Sequence, residues 1–407
     1  MERFEVSREV ASLGTSLFLL GFGLGGLFWA PASEWVGRRI PFLLGYTIFI
    51  IFQIPVGVAD NLETVLASRF IQGFFGSSTL AVIAGAFADL WPAPINRGVA
   101  MTIFTIATFA APIIGSIAGS YIAQSGYSWR WTAWITIIIS AIPCILGWVL
   151  MPETYQSNTS GSDDVDLATG EVAAPKLRNI IATNFSRPFR MLFSEPIVLL
   201  FSIYLALVYG IFYLFFTAFP ISFHQQRQWP AGVGALPFLS VLVGIFAGSG
   251  FIIYDTKTRF ARRLGSGQNT PEDRLPPMMY GSVLLPVGLF TFAWTSSPDI
   301  TWVPQVLVGA PIGFGIVTIF LQGINYIVDC YKQASNSALA SSTLLRGLSG
   351  TAFPLFASTM YASLGVDWAT SVLAFVTVCL TPVSFLFYRY GTRLRSVSRY
   401  TPQTRWK

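Results

Sequence analysis

The sequence predicts an all-α, polytopic bundle embedded in a membrane, and three observations carry that reading. Eleven long apolar stretches run through the 407 residues. Apolar residues make up 53% of the chain and charged ones 11%, where a soluble domain carries roughly 25% charge. Nearly every basic residue falls in alternate gaps between the apolar stretches. A helix crosses the hydrocarbon core with roughly 20 apolar residues and satisfies its backbone amides internally.

The spans read as 12–31, 42–59, 64–88, 98–122, 132–151, 196–223, 233–254, 278–296, 302–327, 343–364 and 368–388. Glycine and proline are abundant within them, as membrane helices tolerate. The longest gap, 152–195, opens with the polar run Gln156–Ser162 and continues through Asp163, Asp164, Asp166 and Glu171. Its composition predicts a flexible linker. The chain therefore divides into a first half (1–151, five spans), a linker (152–195), a second half (196–388, six spans) and a basic tail (389–407).

The net charge of +6 is not a nucleic-acid signature, because it is distributed by topology. With the N-terminus outside, nineteen Lys and Arg residues fall on the inner side: Arg38, Arg39, Arg97 and the basic residues of the linker, the later inner gaps and the tail. Four fall outside: Arg3, Arg8, Arg130 and Arg227. Only Arg69 and Arg346 lie within spans. The positive-inside rule then places the linker and the C-terminus in the cytosol. Met1–Gly14 holds three glutamates and lacks the basic start and short apolar core of a signal peptide. An odd span count with an outside N-terminus leads to the expectation that a first helix is missing.

Several short motifs are specific. Ala30-Pro-Ala-Ser-Glu-Trp-Val-Gly-Arg-Arg39 occupies the first inner turn, and Arg69-Phe-Ile-Gln72-Gly73 begins the third span. Ala111-Pro112-Ile-Ile-Gly115-Ser-Ile-Ala-Gly119-Ser lies in the fourth, and Met151-Pro-Glu-Thr-Tyr155 ends the first half. With Arg274-Leu-Pro-Pro277, Asn325-Tyr-Ile-Val-Asp329 and Ala352-Phe-Pro-Leu-Phe356, these runs resemble the major facilitator superfamily, and within it the fungal drug:proton antiporter branch of twelve-span exporters. The resemblance covers almost the whole chain. It departs from the family at Ala30 and Trp35 of the first motif and at Ala111, Ser116 and Ser120 of the third. It implies two pseudo-symmetric halves, a small organic substrate carried by alternating access, protons as coupling ion, a monomer in the plasma membrane and no cofactor.

The residues support roles of unequal sharpness. Glu34, Gly37, Arg38 and Arg39 sit where two helices meet the cytosol, so they can hold the inner side shut through helix-end amides and neighbouring carboxylates; basic residues there also simply fix orientation. Arg69 lies inside its span, where a charge costs roughly 2.5–3.5 kcal/mol near mid-bilayer, and Gln72 shares its face. A cavity role competes with snorkelling to the outer interface. Pro112, Gly115 and Gly119 form a kinked, small-residue face, a gate or plain packing. Tyr209 and Tyr213 could stack a flat substrate, although aromatics in spans are more often packing. Asn325 shares a face with Gln322. Arg346 is expected to pair with Asp329 or Glu34.

Other chemistry has no basis here. His224 is the single histidine, Cys144, Cys330 and Cys379 are scattered, and no phosphate-binding glycine loop exists. Neither a metal, an ATP-driven pump nor an enzyme is indicated. Proton coupling lacks an obvious carrier, because Glu34, Asp89, Asp255 and Asp329 all lie at span ends and Thr217 stands where the branch often has glutamate. The rival reading is a transporter-like membrane protein without transport activity that acts through interactions.

Overall fold

A computed structural model describes residues 8–91, 93–154, 187–331 and 335–398. Those residues are helical, with short loops and no strand among them. The first half comprises α1 (Arg8–Val36), α2 (Arg39–Ile51), α3 (Gln53–Val58), α4 (Leu62–Leu90), α5 (Pro94–Gln124) and α6 (Arg130–Leu150). After a helix at 187–194 (α7) come α8 (Pro196–Phe219), α9 (Ala231–Ala235), α10 (Phe238–Asp255), α11 (Ala261–Gly265), α12 (Pro276–Trp294), α13 (Trp302–Leu307), α14 (Gly309–Tyr331) and α15 (Ser335–Val397).

Among the described residues, ten helical runs are long and apolar enough to cross a membrane. The last, Ser337–Ser396, has 60 residues, about 90 Å if straight against a hydrocarbon core of about 30 Å. It cannot be one crossing. Gly365 breaks it with φ 76° and ψ 170°, in the gap expected between 364 and 368, so the run supplies two. The eleven expected crossings are all present. The second is itself interrupted at Phe52, between α2 and α3. Pro55 has no N–H to give Ile51, and its ring crowds that carbonyl. The carbonyl of Phe52, at the break itself, receives Gln72 Nε2 at 2.6 Å.

The two halves are packed differently. The second is built on a continuous aromatic core in which Phe219 stacks on Phe238 (4.4 Å) and Phe292 (5.1 Å). In the first, glycines bring α1 and α4 together: a Cβ on Gly21 would stand 2.2 Å from Phe70 O, and one on Gly73 1.9 Å from Phe18 O. This is small-residue packing as membrane helices use it. The outer face of α6 stays apolar and uncovered, with Ile138, Ile139, Ile142, Ile145 and Val149 all exposed, as a lipid-facing helix requires. Across the halves, α1 lies along α15 and α5 along α10.

Two expectations about the gaps are corrected. Residues 187–195 are not a free linker: Met191 and Leu192 of α7 are buried and Ser341 Oγ donates to Pro188 O at 2.7 Å. Glu195, fully buried, accepts from Tyr331 Oη at 3.0 Å and from Ser398 Oγ. Nor does a tail begin at 389. Helix α15 continues to Val397, and Arg395 forms a bidentate pair with Glu272, both distances 2.9 Å. The acidic part of the linker and residues 399–407 lie outside the described residues.

Candidate substrate cavity and its gates

A cavity of about 80 Å³ lies between the halves. Its walls come from α1 (Phe22, Gly26, Ala30), α4 (Ser77, Leu80, Ala81), α5 (Met101, Phe104, Thr105, Thr108), α14 (Phe320, Leu321, Ile324) and α15 (Leu339, Thr343, Arg346). On every wall these residues lie toward the helix end that meets the Gly37–Arg39 loop and the linker. The bundle is shut at the opposite, far end. There Gly232 N donates to Gln124 Oε1 (2.7 Å); short of it, midway along the first crossing of α15, Ser16 Oγ donates to Thr351 O (2.9 Å) and Thr351 Oγ1 donates back to Ser16 O (3.2 Å). Between cavity and seal, Gly23 and Gly347 let α1 and α15 touch; a Cβ on Gly347 would stand 2.5 Å from Gly23 Cα.

Arg346 is the one ionisable residue among the described residues of these walls. It is 6% exposed. Its Nη2 donates to Thr343 Oγ1 at 2.7 Å, its Nε has no partner, and its guanidinium lies 4.8 Å from the Phe320 ring centroid. The expected pairing with Asp329 is not made, because Asp329 sits at the linker end of α14 and binds other arginines. The side chain of Glu34 lies outside the described residues. Behind Phe320 stands an aromatic cluster. Phe109 meets Phe320 at 4.8 Å and Phe212 at 5.0 Å, and Tyr209 meets Phe320 at 6.3 Å. Tyr209 Oη donates to Tyr213 Oη at 3.4 Å. The two tyrosines therefore back the wall rather than form it.

Three further expected binding residues stand elsewhere. Arg69 and Gln72 lie on the far-end part of α4, away from the cavity walls. Arg69 Nη1 reaches only Gln72 Oε1, at 3.4 Å, among the described residues, and Gln72 is committed to the Phe52 carbonyl. Asn325 Nδ2 donates to Gln322 Oε1 at 3.2 Å and is likewise outside the walls. Pro112 lies inside α5, but a Cβ on Gly115 or Gly119 would meet nothing within 4 Å. Close backbone approach is thus not what those glycines provide among the described residues.

The loop from Ala30 to Arg39 is a braced corner, and its partners are within its own half. Arg38 Nε pairs with Asp89 at 3.1 Å and Nη1 donates to Ser33 Oγ at 2.8 Å. Glu153 accepts from the backbone N–H of Arg38 (2.9 Å) and Arg39 (3.2 Å), satisfying free amides at the start of α2. Arg39 Nη2 donates to Trp148 O at 2.7 Å. Gly37 holds φ +99°, and a Cβ there would stand 2.5 Å from Glu153 Oε2. At the start of α2 the helix-end carboxylate is Glu153, of the same half, and the Glu34 side chain lies outside the described residues.

The contact that does cross the halves at this end was missed. Asp329 of α14 pairs with Arg274 (3.0 Å) and with Arg97 of α5 (3.8 Å), and Arg274 Nη2 donates to Pro94 O at 3.4 Å. Sequence spacing could not join positions 97, 274 and 329. Arg274 and Asp329 each stand in a recognisable run, but nothing in either run shows that the two meet or that Arg97 joins them. At the far end Arg227 performs a structural task, donating to Gln305 and to the carbonyls of Thr295, Ser297 and Ile300.

Two helical halves with a central cavity, sealed at one end and salt-bridged at the other, define a membrane carrier. Comparison with known proteins agrees. The sequence model of the Major Facilitator Superfamily matches residues 1–354, and the chain belongs to that family of membrane transporters. It is 47% identical to a citrinin biosynthesis cluster MFS transporter of Monascus ruber, over 99% of this chain and 83% of that one. It is 45% identical to an ascochitine biosynthesis cluster MFS transporter of Didymella fabae (98% and 80%) and 38% identical to a cercosporin MFS transporter of Cercospora nicotianae (98% and 80%). The crystal structure of the human organic anion transporter TETRAN shares the fold with TM-score 0.63 at 17% identity, covering 91% of this chain and 82% of that one. The protein is a multi-pass membrane transporter and not an enzyme.

Proposed function

We propose that the chain exports a small organic secondary metabolite from the cytosol by alternating access. The observation that carries this reading is the cavity itself: it lies toward the linker end, while Ser16–Thr351 and Gln124–Gly232 close it off from the far side. The nineteen-to-four charge asymmetry supports a cytosolic linker end, and with it a cavity that loads from the cytosol. Relatives named for the citrinin, ascochitine and cercosporin systems supply the metabolite class. At about 80 Å³ the space is well below the roughly 300–1,000 Å³ of drug-sized sites, so loading requires the halves to part further. Parting at the linker end breaks the Arg97–Asp329 contact, which makes Asp329 the gating residue that joins the halves; Arg38, Arg39 and Gly37 keep the corner rigid while they move.

The remaining assignments are a monomer in the plasma membrane, driven by proton exchange with the proton carried outside the cavity walls. The test is efflux from cells expressing the chain, preloaded with a panel of aromatic polyketides. Lower retention than in vector controls, lost when nigericin collapses the pH gradient, supports the reading. Retention equal to the control for every compound favours the non-transporting alternative.

A further inference from the structure

We infer that the substrate is a monoanion, a small aromatic carboxylate, and that Arg346 is the residue that binds it. The inference deepens the export reading and rests on it for the word substrate. Its basis is the hydrogen-bonding inventory of the cavity. Each wall hydroxyl gives its proton to its own helix: Ser77 to Phe74 O, Thr105 to Met101 O, Thr108 to Phe104 O and Thr343 to Leu339 O. What these groups leave for a ligand is acceptor oxygen. The unspent donors belong to Arg346, whose Nε has no partner and whose charge meets no carboxylate among the described residues.

A guanidinium presents N–H groups in a planar fork that matches a carboxylate two-to-two. Nearly complete burial removes competing water and sharpens that match. Arg346 also stands at the closed limit of the cavity, one residue before the Gly347 contact with α1. A carboxylate there would point inward, and the rest of the molecule would extend toward the linker end with the rings of Phe104 and Phe320 beside its first part. Those rings suit a flat aromatic body. One cation and no carboxylate among the described wall residues point to a charge of minus one. Arg346 was expected to be a gate residue; its place is in the binding site.

The probes are 1-naphthoate and its neutral isostere 1-naphthamide, in a panel with benzoate, anthracene-9-carboxylate and their amides, and with naphthalene-1-sulfonate. Binding is read by intrinsic fluorescence on the purified full chain in lipid nanodiscs. At least one carboxylate should bind the wild type tenfold or more tighter than its amide. Arg346→Gln should bring that ratio to within twofold, and Arg346→Lys should leave it intermediate. Equal binding of acid and amide, a ratio that survives Arg346→Gln, or no binding of any carboxylate overturns the inference, and the wild-type ratio decides even if Arg346→Gln does not fold. Tighter binding of the sulfonate than of every carboxylate assigns the site to another anion and also overturns it. Export of neutral compounds only, in the cell assay, would leave the transport reading standing while this one falls.

Discussion

Glu153 shows how much one side chain can organise. It lies 115 positions from Arg38, yet its two oxygens take the amides of Arg38 and Arg39 and so fix where α2 begins. Glu153→Ala is expected to lower stability by about 1–2 kcal/mol, the range for losing a helix N-cap, read as a fall in thermal midpoint in detergent. Glu153→Gln keeps an acceptor oxygen and should lose less. Gly37→Ala should be at least as damaging as Glu153→Ala, because it strains φ +99° and also pushes on the same carboxylate. A midpoint unchanged in all three would mean that the corner is not braced in this way. The sequence displayed Gly37, Arg38 and Arg39 plainly, held Glu153 in a second motif and Asp89 at a span end, but hid that folding joins them, because a motif shows its own residues and not the partners brought to them. Arg346 is visible in the sequence as a charge within a span. Such a charge demands a partner, and the sequence offers Asp329 and Glu34 at span ends without showing that Asp329 is taken by Arg274 and Arg97.

At the scale of elements the sequence was far more legible. Hydrophobic length alone located every crossing, including the pair that α15 runs together, since Gly365 falls where polar Asp367 interrupts the apolar pattern. It could not show that α15 outlasts its span, because the extension to Val397 is held by Glu272 and Glu195 from distant segments. Nor could it tell which glycines make contact. Gly115 and Gly119 carry the recognisable motif and touch nothing, whereas Gly23 and Gly347 carry none and join the halves. Gly347→Val should therefore wedge α1 from α15 and shift the population away from the far-end-closed state. With Ser16→Cys as reporter, labelling by an impermeant maleimide from the far side should rise severalfold over the Gly347 parent. Unchanged labelling would show that the α1–α15 seam does not govern closure. Asp329→Asn removes the ionic bridge at the other end and should alter maximal flux more than apparent affinity, since it lies away from the cavity walls. A change confined to affinity would place Asp329 in the binding site instead.

For the whole molecule, the charge asymmetry and the cavity point the same way, and each can be tested separately. Asn158 and Asn184 stand in glycosylation sequons within the linker. If that end is cytosolic, neither carries glycan, and glycosidase should leave the mass unchanged; a shift abolished by Asn158→Gln or Asn184→Gln would invert the topology.

Alternating access makes the sharper demand that the far end both close and open. The reciprocal bonds between Ser16 and Thr351 bring α1 and α15 backbones close enough for a cross-link across the way to that end. In a Cys379→Ser background, which removes the exposed native thiol, Ser16→Cys with Thr351→Cys should form a disulfide on oxidation with copper phenanthroline. The way to the far end is then held shut, so efflux should stop and should return with dithiothreitol. Binding from the linker end should persist, because the lock preserves the state in which the cavity faces that way. Each single variant should respond to neither reagent. Full efflux through the cross-linked protein would mean that substrate leaves without parting α1 from α15 at this point, and the rocking of one half against the other would have to be given up for this chain.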